Sequence, residues 1–172
     1  SLKGASAQQS AVHVFAIRRI CPEQPLASAK TTPMTTPTVA AQPIAIRPTH
    51  NSRLASVNFD DIPFGRTFSD HMFIMDYRDG QWQDARIEPF AAMPIHPACS
   101  GIHYGQSIFE GMKAYRGVNG EAILFRPDKN ITRFNRSAAR MAMPAVPEAL
   151  FHRALVELIG LDREWIPDRE GS

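Results

Sequence analysis

Cysteine is scarce in this chain of 172 residues: Cys21 and Cys99 are the only two. Two cysteines so far apart build no disulfide framework, and neither sits in a zinc-binding spacing. The six histidines are dispersed, without HExxH or any paired-ligand pattern, so no metal site is expected. No apolar run approaches the ~18 residues that a membrane-spanning helix requires. An excess of one charge is also missing. A formal net charge of +2 is too mild, and the basic residues too scattered, to argue for nucleic acid. GxGxxG, the P-loop and GxSxG are absent, which removes the dinucleotide, nucleoside-triphosphate and serine-hydrolase fingerprints. These absences leave a soluble protein of a reducing compartment, with the cytoplasm as its expected location.

Residues 1–55 differ from the rest. They are rich in Ser, Thr, Ala, Gln and Pro, and Glu23 is their only acidic residue, against the basic Lys3, Arg18, Arg19 and Lys30. Neither helical nor alternating periodicity is visible. Such a composition buries too little apolar surface to order itself, so a disordered tail is expected over 1–55. The same composition fits an organellar transit peptide, which would place the protein in a mitochondrion or plastid. The blander reading starts the natural chain at Met34 and treats residues 1–33 as upstream sequence. It is preferred, because no amphipathic arginine-rich helix is evident.

Structure is expected from about Asn58, and residues 56–172 make one domain. Phe64-Gly65 is a turn signal. An apolar run through Met72, Phe73, Ile74 and Met75 then meets Asp79-Gly80, a pair that supplies the positive φ angles of a tight turn. A return strand from Trp82 makes 71–88 a β-hairpin. Ala91 to Cys99 reads as loop. Ser100 is the expected N-cap of a short helix that buries Ile102, Ile108 and Phe109 and stops at Gly111. A second hairpin runs from Met112 to Phe125 around Gly117-Val118-Asn119-Gly120. Pro127 opens a helix whose apolar face is Ile131, Phe134, Ala138 and Met141, and Pro144 ends it. Another helix follows Pro147, with Leu150, Phe151, Ala154, Leu155 and Leu158 on one side. Hairpins with helices between and after them define an α+β domain, a sheet packed against helices.

Within that frame a few residues are candidates for chemistry. Arg133, Arg136 and Arg140 fall at offsets of three and seven, on one helix face. Spacing leaves two readings open: a solvated basic face, or an arginine that holds a phosphate or carboxylate through its bidentate fork. Asn130 and Ser137 stand near as neutral donors. Tyr104 and Phe109 are either core aromatics or walls of an apolar pocket for a small aliphatic ligand. Gly111 is either a helix stop or a place where backbone comes close to a ligand. Phe68 is a further aromatic at a loop-to-strand junction. His71 and His103 read as single structural histidines. Glu110 has no second carboxylate at useful spacing, so no general-acid pair is expected.

Three ordered motifs carry a family resemblance: FGRTFSDHMFIMDY from Phe64 to Tyr77, then HPACSGIHYGQSIFEGMKAYRG, then LFRPDKNITRFNRSAARMAMP. Together they resemble branched-chain amino acid aminotransferases, members of the fold-type IV pyridoxal-phosphate group, over about residues 58–167. The resemblance implies the small N-terminal domain of such an enzyme. It also implies pyridoxal 5'-phosphate as cofactor, with the amino group exchanged between leucine, isoleucine or valine and 2-oxoglutarate or glutamate. A homodimer is implied for the full-length enzyme. By position, Arg133 matches the phosphate-binding arginine, and Phe68, Tyr104 and Phe109 match aromatics of the side-chain pocket. Gly111 matches a position where backbone meets substrate. An aromatic-walled pocket suits aliphatic substrates, since each buried CH₂ is worth ~0.8 kcal/mol.

One part of the family's machinery has no match. Its Schiff-base lysine lies in a C-terminal domain, whereas the lysines here are Lys3, Lys30, Lys113 and Lys129. The expectation is an N-terminal fragment that holds no catalytic residue and is inactive alone. The alternatives are another fold-type IV enzyme, a D-amino-acid aminotransferase or aminodeoxychorismate lyase, or a non-catalytic binding module.

Overall fold

The computed structural model describes residues 12–19, 42–62 and 65–168. A four-stranded sheet has the spatial order β1-β3-β4-β2. Its strands are β1 (Val12–Arg19), β2 (Ala45–Ile46), β3 (Phe68–Arg78) and β4 (Gln81–Pro89). The central pair is antiparallel and is closed by Asp79 at φ 52° and Gly80 at φ 76°, as a two-residue turn with a matching twist requires. The expected first hairpin is therefore present, and it begins at Phe68 rather than His71. Strand β1 runs parallel to β3, and β2 parallel to β4.

Two strands, β1 and β2, lie before Asn58, within the stretch 1–55. The segment around β2 is tied down at several points. Ile44 packs against the core, the Arg47 N–H donates to the Ile87 carbonyl at 2.9 Å, and the Thr49 N–H donates to His71 Nε2 at 2.8 Å. Backbone pairing along an existing strand and side-chain hydrogen bonds, together with Ile44 on the core, hold the segment. Residues 1–11 and 20–41, with Met34, Cys21, Lys3 and Lys30, lie outside the described residues, as does Phe64.

The second hairpin is shorter, β5 (Ala114–Arg116) with β6 (Ala122–Leu124). After it comes α2 (Pro127–Arg140), whose proline occupies the first turn, where a backbone N–H is not needed. Ile131, Phe134 and Ala138 are buried as their spacing predicts, but Met141 lies beyond the helix end and is exposed. The stop is not Pro144. Ala142 takes φ 51°, and the N–H groups of Met143 and Ala142 donate to the carbonyls of Ala138 (2.8 Å) and Ala139 (3.2 Å), a Schellman turn built without glycine. Helix α3 (Glu148–Leu161) buries Leu150, Phe151, Ala154, Leu155, Leu158 and Ile159. The core forms where α2 and α3 meet the sheet face carrying Phe73, Met75, Ala85 and Ile87. Trp82 caps one end, its indole N–H donating to the Ala145 carbonyl at 2.7 Å.

The helix expected from Ser100 to Gly111 is a single turn, α1 (Ser100–His103), capped by Cys99. Gly105, at φ 61°, follows it, and the chain continues as loop to Met112. Ile102 and Phe109 are exposed, and only Ile108 of the expected face packs toward the core. The architecture remains α+β, as expected.

Candidate functional site

Helix α2 and the loop 104–111 come together at Glu110, a half-buried residue. Its side chain is only 6% exposed, yet it faces Arg133, whose side chain is 55% exposed. Arg133 Nε donates to Glu110 Oε2 at 2.7 Å, and Nη2 donates to Oε1, so the pair is bidentate. Asn130, one turn earlier on α2, donates from Nδ2 to Glu110 Oε1 (3.2 Å) and to the Gly111 carbonyl (3.0 Å). The hydrogen bonds from Arg133 lead in holding the Glu110 carboxyl below the usual glutamate range, and Glu110 in turn raises the guanidinium. Both groups are thus charged at neutral pH. The arginine uses one edge on the protein, and among the described residues its Nη1 meets no other partner.

Of the residues picked out from sequence, Arg133 and Gly111 are therefore brought together, joined by Glu110 and Asn130. Arg136 and Arg140 stay exposed on the same helix. Gly111 needs no positive φ, and a Cβ added there would meet nothing within 4 Å. Neither strain nor internal packing accounts for glycine at this position. Tyr104 and Phe109 leave the same loop into solvent, 85% and 92% exposed, so neither is a core aromatic. Gln106 pins the loop to the end of α2 by donating to the Met141 carbonyl at 2.8 Å. His103 is exposed as well.

Phe68 sits elsewhere, at the start of β3, stacked on Phe90 with ring centroids 4.6 Å apart. It lines an open cleft of about 410 Å³ with Arg53, Arg66, Asp61 and Trp165; Tyr104, Phe109, Gly111 and Arg133 are not part of that cleft. Behind it lies a buried polar network that sequence reading did not find. Asp70 accepts hydrogen bonds from the Ser52 hydroxyl (2.6 Å), the Arg53 N–H (2.9 Å) and the Trp165 indole (3.0 Å). Beside it, His71 Nδ1 lies 2.6 Å from Asp162 Oδ1, while its Nε2 accepts from Thr49. The Nδ1–H tautomer satisfies both bonds. Sequence treated His71 as structural, and it is. Among the described residues no three His, Cys, Asp or Glu side chains group as metal ligands would, and no helix is long and apolar enough to cross a membrane.

Glu110 escaped the sequence reading because its partner lies 23 residues away across a hairpin. A search for a second carboxylate was the wrong search; the informative neighbour was a cation.

An arginine with one edge held and one edge open, beside an unhindered glycine, is a geometry able to receive an anion. The chain is 48% identical over 110 residues to Branched-chain-amino-acid transaminase 1 of Bacillus subtilis (strain 168), covering 63% of this chain and 31% of that relative. It is 43% identical over 114 residues to Branched-chain-amino-acid aminotransferase 2 of the same strain, covering 66% and 31%. A probable branched-chain-amino-acid aminotransferase of Streptomyces coelicolor (strain ATCC BAA-471 / A3(2) / M145) is 40% identical over 140 residues, 81% and 38%. No protein-family model matches the chain.

Over ~65% of its length the chain is thus homologous to the N-terminal portion of branched-chain aminotransferases, as its motifs suggested. The chain spans about a third of the length of the curated relatives it matches. A 140-residue match inside 172 residues has to include the stretch from about residue 33 to residue 140, wherever it begins. The resemblance therefore reaches back across β2, further than the three motifs.

Proposed function

We propose that this chain forms the cofactor-phosphate and side-chain-pocket part of a pyridoxal 5'-phosphate-dependent transaminase. The reaction exchanges an amino group between leucine, isoleucine or valine and 2-oxoglutarate. The observation that carries the reading is the open edge of Arg133. A guanidinium presents five N–H groups in a planar fork, and a carboxylate on the Nε/Nη2 edge leaves the Nη1/Nη2 edge free for a second planar or tetrahedral anion. The residues fit such a group: a charged donor, accessible to solvent, beside a glycine that no protein atom crowds.

Pyridoxal 5'-phosphate, when bound, supplies the electron sink for amino-group exchange. The rest falls to this chain's residues. Arg133 anchors the phosphate, and Gly111 keeps the backbone open to substrate. Tyr104, Phe109 and Phe68 wall an aliphatic pocket, the first adding one hydroxyl. The pocket role of Phe68 rests on the family resemblance alone, since Phe68 lines a separate cleft from the loop 104–111. Neither Lys113, next to β5, nor Lys129, paired with Asp128 at 3.3 Å, is assigned the role of the family's Schiff-base lysine. A cytoplasmic homodimer completes the reading.

The test is Arg133→Ala in the full-length protein. Cofactor affinity should fall at least about tenfold, the loss of one bidentate charge-assisted contact. An affinity unchanged within twofold, measured by absorbance titration of the apoprotein, would refute the phosphate role.

A further inference from the structure

We propose that Glu110 is a positioning residue for the cofactor phosphate, gripping one edge of Arg133 so that the other edge is aimed at the anion. This rests on the phosphate role given to Arg133 above.

A carboxylate beside an anion site is at first sight unfavourable, because its charge offsets that of the arginine. The geometry argues that orientation outweighs the lost attraction. Glu110 is nearly buried while Arg133 is mostly exposed, so the carboxylate is the fixed partner and the guanidinium the one being held. Its two oxygens take the Nε–H and the Nη2–H on the same side, leaving Nη1 and the outer Nη2–H for the end edge. An exposed arginine otherwise samples many rotamers, and a ligand must stop that motion on binding.

Asn130 locks the carboxylate in turn. It bridges Glu110 Oε1 and the Gly111 carbonyl from the same face of α2 that carries Arg133. Helix, loop carboxylate and glycine backbone are thereby fixed as one unit around the open edge. An ordinary surface ion pair shows none of this. It has two mobile partners and contributes little. The pair stays doubly charged across the neutral range, since each partner shifts the other toward its ionised form.

The experiment measures dissociation constants of pyridoxal 5'-phosphate and of pyridoxal, which lacks the phosphate, for full-length apoprotein. The variants are Glu110→Gln, Glu110→Ala, Arg133→Ala and the Glu110→Ala/Arg133→Ala double. Both Glu110 variants should weaken pyridoxal 5'-phosphate about tenfold, the lower end of the loss seen when a residue that orients a metal ligand is removed. They should leave pyridoxal within twofold and add nothing in the Arg133→Ala background.

Equal weakening of both ligands would overturn the proposal in favour of a general structural role. So would an unchanged or tightened pyridoxal 5'-phosphate affinity in Glu110→Gln while Arg133→Ala weakens it; the phosphate role would then survive and the positioning role would not. No effect of Arg133→Ala removes both.

Discussion

Asp70→Asn tests how the polar network behind β3 holds the segment before it. The Asp70 carboxylate accepts from the Ser52 hydroxyl and the Trp165 indole on one oxygen and from the Arg53 N–H on the other. Arg53 Nε stands 3.6 Å away as a partial ion pair. Asparagine has one acceptor oxygen and one NH₂. Whichever way the amide turns, an N–H faces an N–H. The less costly orientation keeps Ser52 and Trp165 on the oxygen and sets the NH₂ against Arg53. That removes one hydrogen bond to a charged acceptor, and a buried site leaves the donor unsatisfied. The expected loss is about 2–4 kcal/mol at pH 7. Against a typical total of about 5–15 kcal/mol this is a large fraction. Urea unfolding followed by tryptophan emission suits the measurement, because Trp165 is itself a donor in the network. A change below about 0.5 kcal/mol would mean that Asp70 does not anchor residues 52–53, and the reasoning would fail.

The same substitution carries a pH signature. Burial alone would raise the Asp70 carboxyl; the Arg53 N–H, Ser52, Trp165 and the Arg53 guanidinium outweigh it and hold it below the usual aspartate range. A carboxyl lowered on folding stabilises the fold above its unfolded value of about 3.9, and that stability is lost as pH falls through the folded value. The wild-type chain should therefore lose stability below about pH 4, and Asp70→Asn should show a shallower acid limb. Parallel acid limbs would assign the acid sensitivity to other carboxylates.

Ala142→Gly should stabilise the chain by about 0.5–1 kcal/mol in the same unfolding assay. The left-handed position that ends α2 strains alanine more than the extra unfolded-state freedom of glycine costs. Phe109→Ala should change stability by less than about 0.5 kcal/mol, because the ring is exposed, whereas under the proposed function it should raise KM for leucine in the full-length protein. Phe134→Ala, which empties a core position against Phe151, should by contrast cost about 3–5 kcal/mol.

What was legible in the sequence was local. Asp79-Gly80 announced its turn because two consecutive positive φ angles leave few other residue choices, and both angles are there. The faces of α2 and α3 were legible because 3.6-residue periodicity is a local property. Edge strands β1 and β2 were not, since each depends on a strand far along the chain, and their polar surroundings hid them. The same distance hid the polar network: Ser52 and Trp165 reach Asp70 from 18 residues before and 95 after.

The loop 104–111 shows why periodicity misread the site itself. Ile102, Ile108 and Phe109 have a spacing that a helix can bury, and periodicity states which residues share a face but not what covers that face. Here Tyr104 and Phe109 point outward although burial would favour them inside by roughly 1.5–3 kcal/mol each. Something other than apolar burial must therefore hold the loop, and the contacts identify it: Gln106 on the Met141 carbonyl, Asn130 on the Gly111 carbonyl, and Arg133 on Glu110. Three polar ties to one helix fix a loop whose large apolar side chains are left free. A core segment has the opposite arrangement, with apolar groups fixed and polar groups free. The arrangement found here is what a surface needs if its aromatics are to meet a ligand, and it makes α2 the frame of the proposed site, holding Arg133 directly and Tyr104 and Phe109 through the loop.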